Sequence, residues 1–263
     1  MDINDGERII PREAASGYER LQNLRHLFAY EHAAGLAAGK SVLEAGFGEG
    51  YGAWHLAGVA GKVSAVDTNS GAVTHAAAAY SAGNLEFRLY DGRTLPFSDA
   101  AFDLAVAFQV IEHTDDDRAF LAELRRVLKP GGTCLLTTPN RLHRLKPGQK
   151  PWYKFHKREY TREELENLLR GVFETCEVGY IQAPPELFEM ELRVARIATL
   201  VQALRLPEPL LNWLGWVKKL IFRAVGSGAA PGGAAAGGTG LFRVGGEDER
   251  GLDLLASGKK GLS

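Results

Sequence analysis

The sequence predicts an α/β fold, a mostly parallel sheet with helices on both faces. Two observations carry this. From Ser41 to Ile181, short apolar runs alternate with amphipathic ones, and strands alternating with helices build parallel sheets. At the first strand-to-helix junction, SVLEAGFGEGYGAWHLA (41–57), glycine falls at every second position from Gly46 to Gly52. Glycine is costly inside regular structure, so this loop needs a close approach or a left-handed backbone.

The elements follow in order. Residues 18–38 read as a helix with Leu21, Leu24, Leu27 and Phe28 on one face. Strands are expected at Ser41–Glu44, Lys62–Asp67, Leu85–Leu89, Phe102–Phe108, Gly132–Thr138 and Phe173–Ile181. Helices are expected at Ala53–Gly58, Ser70–Tyr80, Asp116–Leu128 and Thr161–Leu169. Thr161 and Glu164 form a capping box, and Lys129-Pro130-Gly131-Gly132 reads as a helix stop and turn. After Pro184-Pro185 the alternation ends, and two helical segments follow near 186–206 and 209–225. GSGAAPGGAAAGGTG (226–240) is low in complexity and reads as a flexible linker, and GLDLLASG (251–258) reads as one last strand. The domain reading is a core over 1–182 with an N-terminal helical cap, a helical insertion over 183–225, a linker over 226–246, and the last strand and tail over 247–263.

Composition narrows the function. The chain has 263 residues, 45% hydrophobic and 24% charged, with a net charge of -1. This suits a globular domain and gives no global field directed at nucleic acid. Cys134 and Cys176 sit in apolar runs and read as buried thiols. The first residues carry acids and no apolar core, and no window is long enough to span a bilayer, so the expectation is a cytoplasmic protein.

Three acids stand at the ends of successive strands: Glu44 before the glycine loop, Asp67 closing KVSAVD, and Asp91 in LYDGRTLPF. In an open parallel sheet those ends line the ligand crevice. Two cofactor classes compete for the loop. Gly48-Glu49-Gly50-Tyr51-Gly52-Ala53 fits a dinucleotide fingerprint, whereas an acid two residues before the first glycine suits S-adenosylmethionine. Glu49 beside a pyrophosphate would repel it. Asp67 would take ribose hydroxyls with either cofactor, its plain alternative being a helix cap with Thr68. Asp91-Gly92 would take the adenine amino group, or simply turn the chain. After the fourth strand comes Gln109-Val110-Ile111-Glu112-His113, and His113 is the candidate to remove a proton from an acceptor hydroxyl. No spacing of His, Cys and acids fits a zinc pattern, so no metal is expected.

VLEAGFGEGYG, VSAVD, LYDGRTLPFSDAAFDLAVAFQVIEH and LRRVLKPGGTCLLTTPN, in this order, resemble a class I S-adenosylmethionine-dependent methyltransferase, type 11/23-like, over about residues 6–182. GERIIP, RHLFA and FHKREYTREELENLL resemble a bacterial subgroup tied to small-molecule or glycan substrates. The resemblance implies a Rossmann-like, seven-stranded sheet. Its last strand, GLDLLASG, would be antiparallel, lie beside the fifth strand and pair with FETCEVGYIQ. It implies that Glu44, Gly46, Gly48 and Gly50 hold the methionine end, Asp67 and Thr68 the ribose, and Asp91 and Gly92 the adenine. Gln109 would lie near the sulfonium and Arg25 at the carboxylate. Phe47 stands where Cys or Thr is frequent, and His26 where Tyr is frequent.

The expected acceptor is a small molecule or glycan, methylated on oxygen. A nicotinamide-dependent oxidoreductase and a non-catalytic cofactor-binding module are the alternatives. Asn140–Lys157 carries Arg141, Arg144, Lys146, Lys150, Lys154 and Lys157 among aromatics, which suits a phosphorylated or nucleotide-linked sugar, or equally a solvated loop. Residues 210–224 place Leu210, Trp213, Leu214, Val217, Leu220 and Ile221 on one face. Peripheral membrane contact, packing on 186–206 and contact with a second subunit in a homo-oligomer are all open readings of that face.

Overall fold

The computed structural model describes residues 17–151, 153–203, 238–246 and 250–262. One sheet organises them. Its strands are β1 (Ser41–Ala45), β2 (Lys62–Asp67), β3 (Leu85–Leu89), β4 (Phe102–Phe108), β5 (Leu128–Pro139), β6 (Thr175–Gln182), β7 (Arg243–Gly245) and β8 (Gly251–Lys259). The spatial order is β3-β2-β1-β4-β5-β8-β6-β7. The first five strands run parallel, while β8 is antiparallel to both β5 and β6.

The alternation of side chains along each strand explains why both faces are covered. Val42, Val63, Ala65, Leu104 and Val106 point to one face and pack with α1 (Gly17–Ala37), α2 (Tyr51–Ala57) and α3 (Ser70–Ala79). Leu43, Ala45, Val66, Ala105 and Ala107 point to the other. There they meet Phe120, Leu121 and Leu124 of α4 (Asp117–Val127) and Leu165 and Leu169 of α6 (Arg162–Arg170). Strands buried on both faces read as continuous apolar runs, which is why the sequence marks them clearly. The helix starts are chemically fixed. Asn69 accepts from the amides of Gly71 and Ala72 at α3, Asp116 from Ala119 at α4, and Thr161 and Glu164 close their capping box at α6.

Four differences from the sequence reading have physical causes. On α1 the buried residues are Ala29, Tyr30, Ala33 and Ala37, while Leu24, Leu27 and Phe28 are only half-buried. Small side chains let this helix approach α2 closely. Lys129-Pro130-Gly131-Gly132 does follow the end of α4 at Val127, but it continues as strand rather than turn. β5 begins at Leu128, its pairing with β4 shifts register between Phe102 and Leu104, and Gly131 takes φ 76°. The sheet has eight strands rather than seven, because β7 pairs antiparallel with β6. The linker expected over 226–246 therefore ends in structure: a single 3-10 turn at Gly238–Leu241 leads into β7. The earlier part of that linker and the face expected at 210–224 lie outside the described residues.

α7 (Pro185–Ala203) falls within the first helical segment expected near 186–206 and packs Leu187, Phe188 and Ala195 inward. The returning strand is β8, inserted between β5 and β6. Among the described residues no helix is long and apolar enough to cross a membrane. Cys134 and Cys176 are free thiols, and burial pushes Cys134 up to about 12.

Candidate active site

The strand order reverses direction between β1 and β4, and there the strand ends open a cleft of about 610 Å³. Its walls include Gly46 and Gly48 after β1, Asp67 and Thr68 after β2, Asp91 and Gly92 after β3, and Gln109 and His113 after β4. The fold thus brings together most of the residues expected at one site.

The alternating glycines do different work. Gly48, at φ 55°, has nothing within 4 Å of where a Cβ would stand, so the backbone there faces open space. Gly46, at φ 81°, lies against Val110, and a Cβ would meet Cγ2 at 2.5 Å. Gly50, at φ 86°, approaches Ala76 of α3. On Gly52 a Cβ would fall 1.9 Å from Cζ of Tyr30. Only Gly46 and Gly48 belong to the cleft wall; Gly50 and Gly52 serve packing. Phe47 is buried and meets the Phe87 ring edge-on at 4.9 Å between centroids, which explains an aromatic at that position.

Asp67 is bound into the loop it faces. One carboxylate oxygen accepts from the amide of Gly48 at 2.9 Å and the other from the amide of Asn69 at 2.9 Å. Asn69, not Asp67, caps α3. Asp91 is exposed, and its Oδ1 accepts from the amides of Arg93 and Thr94, which hold its carboxyl below the usual range. Gln109 sits at φ 56°, a left-handed backbone unusual outside glycine. Its amide donates to the carbonyl of Thr137 and its side chain to the Thr137 hydroxyl.

Glu44 stands one layer behind the wall. It is buried, its Oε1 accepts from the Tyr30 hydroxyl at 2.5 Å, and its Oε2 has no hydrogen-bond partner. Burial first, and the Asp67 charge in addition, push its carboxyl up to about 7, against the pull of the Tyr30 hydrogen bond. Tyr30 itself lines the cleft. So does His26, which burial and the Arg25 charge bring down to about 3, keeping it neutral. Arg25 is directed elsewhere. It meets Asp253 of β8 at 2.7 Å and Glu191 of α7 at 3.0 Å, and it does not line the cleft.

His113 stands at the rim, half-buried, on the single turn after β4. Its Nδ1 lies 3.1 Å from the carbonyl oxygen of Phe155. A carbonyl only accepts, so Nδ1 carries the hydrogen and, in the neutral ring, Nε2 carries the lone pair. The neighbouring Glu112 is buried and pushed up to about 7 by that burial. Tyr30 and the Phe155 carbonyl have no mark in the sequence; His26 is marked there only as a departure from the family's frequent Tyr. The need for glycine at 52 was the one available hint of an aromatic lying across α2.

The donor set fits S-adenosylmethionine. Glu49, Asp67, Asp91 and Asp115 line the cleft against the one cation Arg93 among the described lining residues, and Glu49 is paired with His75 at 3.1 Å. This acidic wall suits a sulfonium and an ammonium and opposes a pyrophosphate. The orphaned Oε2 of Glu44 and the open cradle at Gly48 point the same way.

Comparison with known proteins agrees. A family model described as a methyltransferase domain matches residues 43–136. A probable S-adenosylmethionine-dependent methyltransferase of Mycolicibacterium smegmatis is 43% identical over 62% of this chain and 62% of its own length. One from Mycobacterium tuberculosis is 38% identical over 72% of this chain and 67% of its own length. The chain belongs to the S-adenosylmethionine-dependent methyltransferases. It thus spans somewhat under two thirds of the first of these methyltransferases and two thirds of the second. A methyltransferase structure from Thermotoga maritima, titled a possible histamine N-methyltransferase, matches with TM-score 0.58 at 18% identity, over 92% of this chain and 94% of that one. That likeness bears on the fold alone.

Proposed function

We propose that this methyltransferase moves a methyl group to an oxygen of a small-molecule or sugar acceptor that enters over the strand ends. The observation that carries the reading is the position of His113, on the rim of the same cleft as the Gly46–Gly48 loop, with Nδ1 tied to the Phe155 carbonyl. That tie puts the hydrogen of the neutral ring on Nδ1, and Nε2 would accept the proton of a hydroxyl.

In this reading S-adenosylmethionine, when bound, supplies an electrophilic methyl group on a sulfonium. Gly46 and Gly48 let the backbone lie close to its methionine end, and Tyr30, which lines the cleft and is held by Glu44 behind it, would take the ammonium. Asp67 would take ribose hydroxyls through whatever acceptor capacity the Gly48 and Asn69 amides leave it. Thr68, Asp91 and Gly92 would bound the adenine side, and Gln109, locked by Thr137, would border the reacting centre. The remaining task is alignment and exclusion of water.

The basic loop gives less support to a phosphorylated acceptor than its composition suggests. Arg141 is paired with Glu164, Arg144 with Glu159 and Lys157 with Asp115, and Lys154 sits over the Phe155 ring at 4.6 Å. A neutral hydroxyl-rich acceptor agrees better with that pairing.

The test is incubation of the full chain with methyl-labelled S-adenosylmethionine and a panel of saccharides and small hydroxylated or amino acceptors, with products read by mass spectrometry. A methyl ether or ester is expected. Label on nitrogen or carbon alone would overturn the oxygen reading. Calorimetric binding of a nicotinamide dinucleotide in preference to S-adenosylhomocysteine would overturn the whole.

A further inference from the structure

Beside the cleft, three side chains converge that methyl transfer does not require as a set. Glu112 and His113 share the turn after β4, and His156 comes from the distant loop between α5 (Arg141–Arg144) and α6. One ligand atom of each lies within 4.8 Å of the other two. We propose that Glu112, His113 and His156 form a binding site for one divalent transition-metal ion of the zinc class.

The carboxylate is built for a cation. Glu112 is wholly buried. Its Oε2 takes the Thr138 hydroxyl at 2.9 Å, and its Oε1 has no hydrogen-bond partner. A buried acceptor left without a donor is unfavourable, and a metal ion removes that deficit.

The imidazoles are supported as ligand histidines are. Each directs Nδ1 at an acceptor: His113 at the Phe155 carbonyl (3.1 Å), His156 at Oε1 of Glu159 (2.8 Å). Arg144 holds the second oxygen of Glu159 at 3.0 Å. A carbonyl or carboxylate behind one ring nitrogen fixes the tautomer and raises the basicity of the other, as in ligand histidines. Two imidazoles and one carboxylate match zinc, with iron(II) and manganese(II) as relatives. Three protein ligands leave a coordination position open. Bonds of about 2.0–2.1 Å require the ligand atoms to close in from their present spacing.

His113 also lines the cleft, so an ion bound there would adjoin the acceptor's entry; that part rests on the methyl-transfer reading. Metal ligation and proton acceptance by Nε2 of His113 exclude each other, so an ion bound here would replace the base assigned above by polarising the acceptor hydroxyl.

The test is titration of chelator-treated full chain with zinc chloride, followed by calorimetry. One ion per chain is expected. His156→Ala should weaken binding about a hundredfold, and Glu159→Gln, which keeps all three ligands, about tenfold. Circular dichroism confirms that each variant is folded, and cobalt(II) absorption reports the coordination in parallel. No stoichiometric binding, or binding that neither variant weakens, overturns the site. S-adenosylhomocysteine binding by the wild type is measured alongside. Its absence would overturn the methyl-transfer reading and leave the zinc result standing.

Discussion

The Tyr30 hydroxyl donates to Glu44 at 2.5 Å across the junction of α1 and β1, in a space closed to solvent. Tyr30, Tyr51 and Asp67 face this carboxyl, and none is a cation. Its pKa is therefore raised, from 4.5 to about 7. A raised folded-state pKa means the folded chain holds a proton that the unfolded chain has released. The contribution is complete below about 4.5 and is lost as pH rises through about 7. Glu44→Gln keeps an acceptor for Tyr30 without the titration. Urea midpoints between about pH 5 and pH 8 should fall more steeply for the wild type than for the variant. Parallel curves would mean that Glu44 does not titrate in this range.

Gly48 and Gly52 should respond differently to one added methyl. Gly52→Ala drives a Cβ into the Tyr30 ring and should destabilise the fold by about 1–3 kcal/mol or more. Gly48→Ala meets no atom and bears only the left-handed backbone, about 1 kcal/mol. Its larger effect should be on S-adenosylhomocysteine affinity, measured by calorimetry. A normal affinity in Gly48→Ala would remove that residue from the cofactor wall.

Asp67→Ala takes the acceptors from the Gly48 and Asn69 amides at once. Cofactor binding should weaken by about 1–3 kcal/mol, from a loosened loop and lost charge-assisted hydrogen bonds. Unchanged affinity would show that the cofactor lies elsewhere.

Arg25→Met leaves Asp253 and Glu191 facing each other without their shared cation, both largely buried. Removing one member of such a cluster costs about 3–5 kcal/mol. Denaturation should show it as a loss of stability. If cofactor affinity fell while stability held, Arg25 would have the carboxylate role that family resemblance gives it.

What the sequence reveals here depends on whether a residue acts locally. Strands buried on both faces announce themselves, and β2 and β4 fall where their apolar runs lie. Asp67 and Asp91 are readable because each closes a strand, and strand ends share one crevice. Arg25 is not readable, because its partners sit on β8 and α7, far along the chain. His156 approaches His113 only through the fold, so no spacing rule could join them. Lys129-Pro130-Gly131-Gly132 misleads because turn residues mark a bulged strand as well as a stop, and only pairing with β4 and β8 decides.

The insertion of β8 between β5 and β6 sets an order of assembly. Among the described residues β6 pairs with β8 and β7 and not with β5, so the sheet continues there only through residues 251–259. On the ribosome, the parallel half of the sheet can form early, but its β5 edge stays open until that late segment emerges. For that interval an apolar strand edge is free to pair with another nascent chain. The yield of folded protein should therefore depend on how quickly translation reaches the last strand.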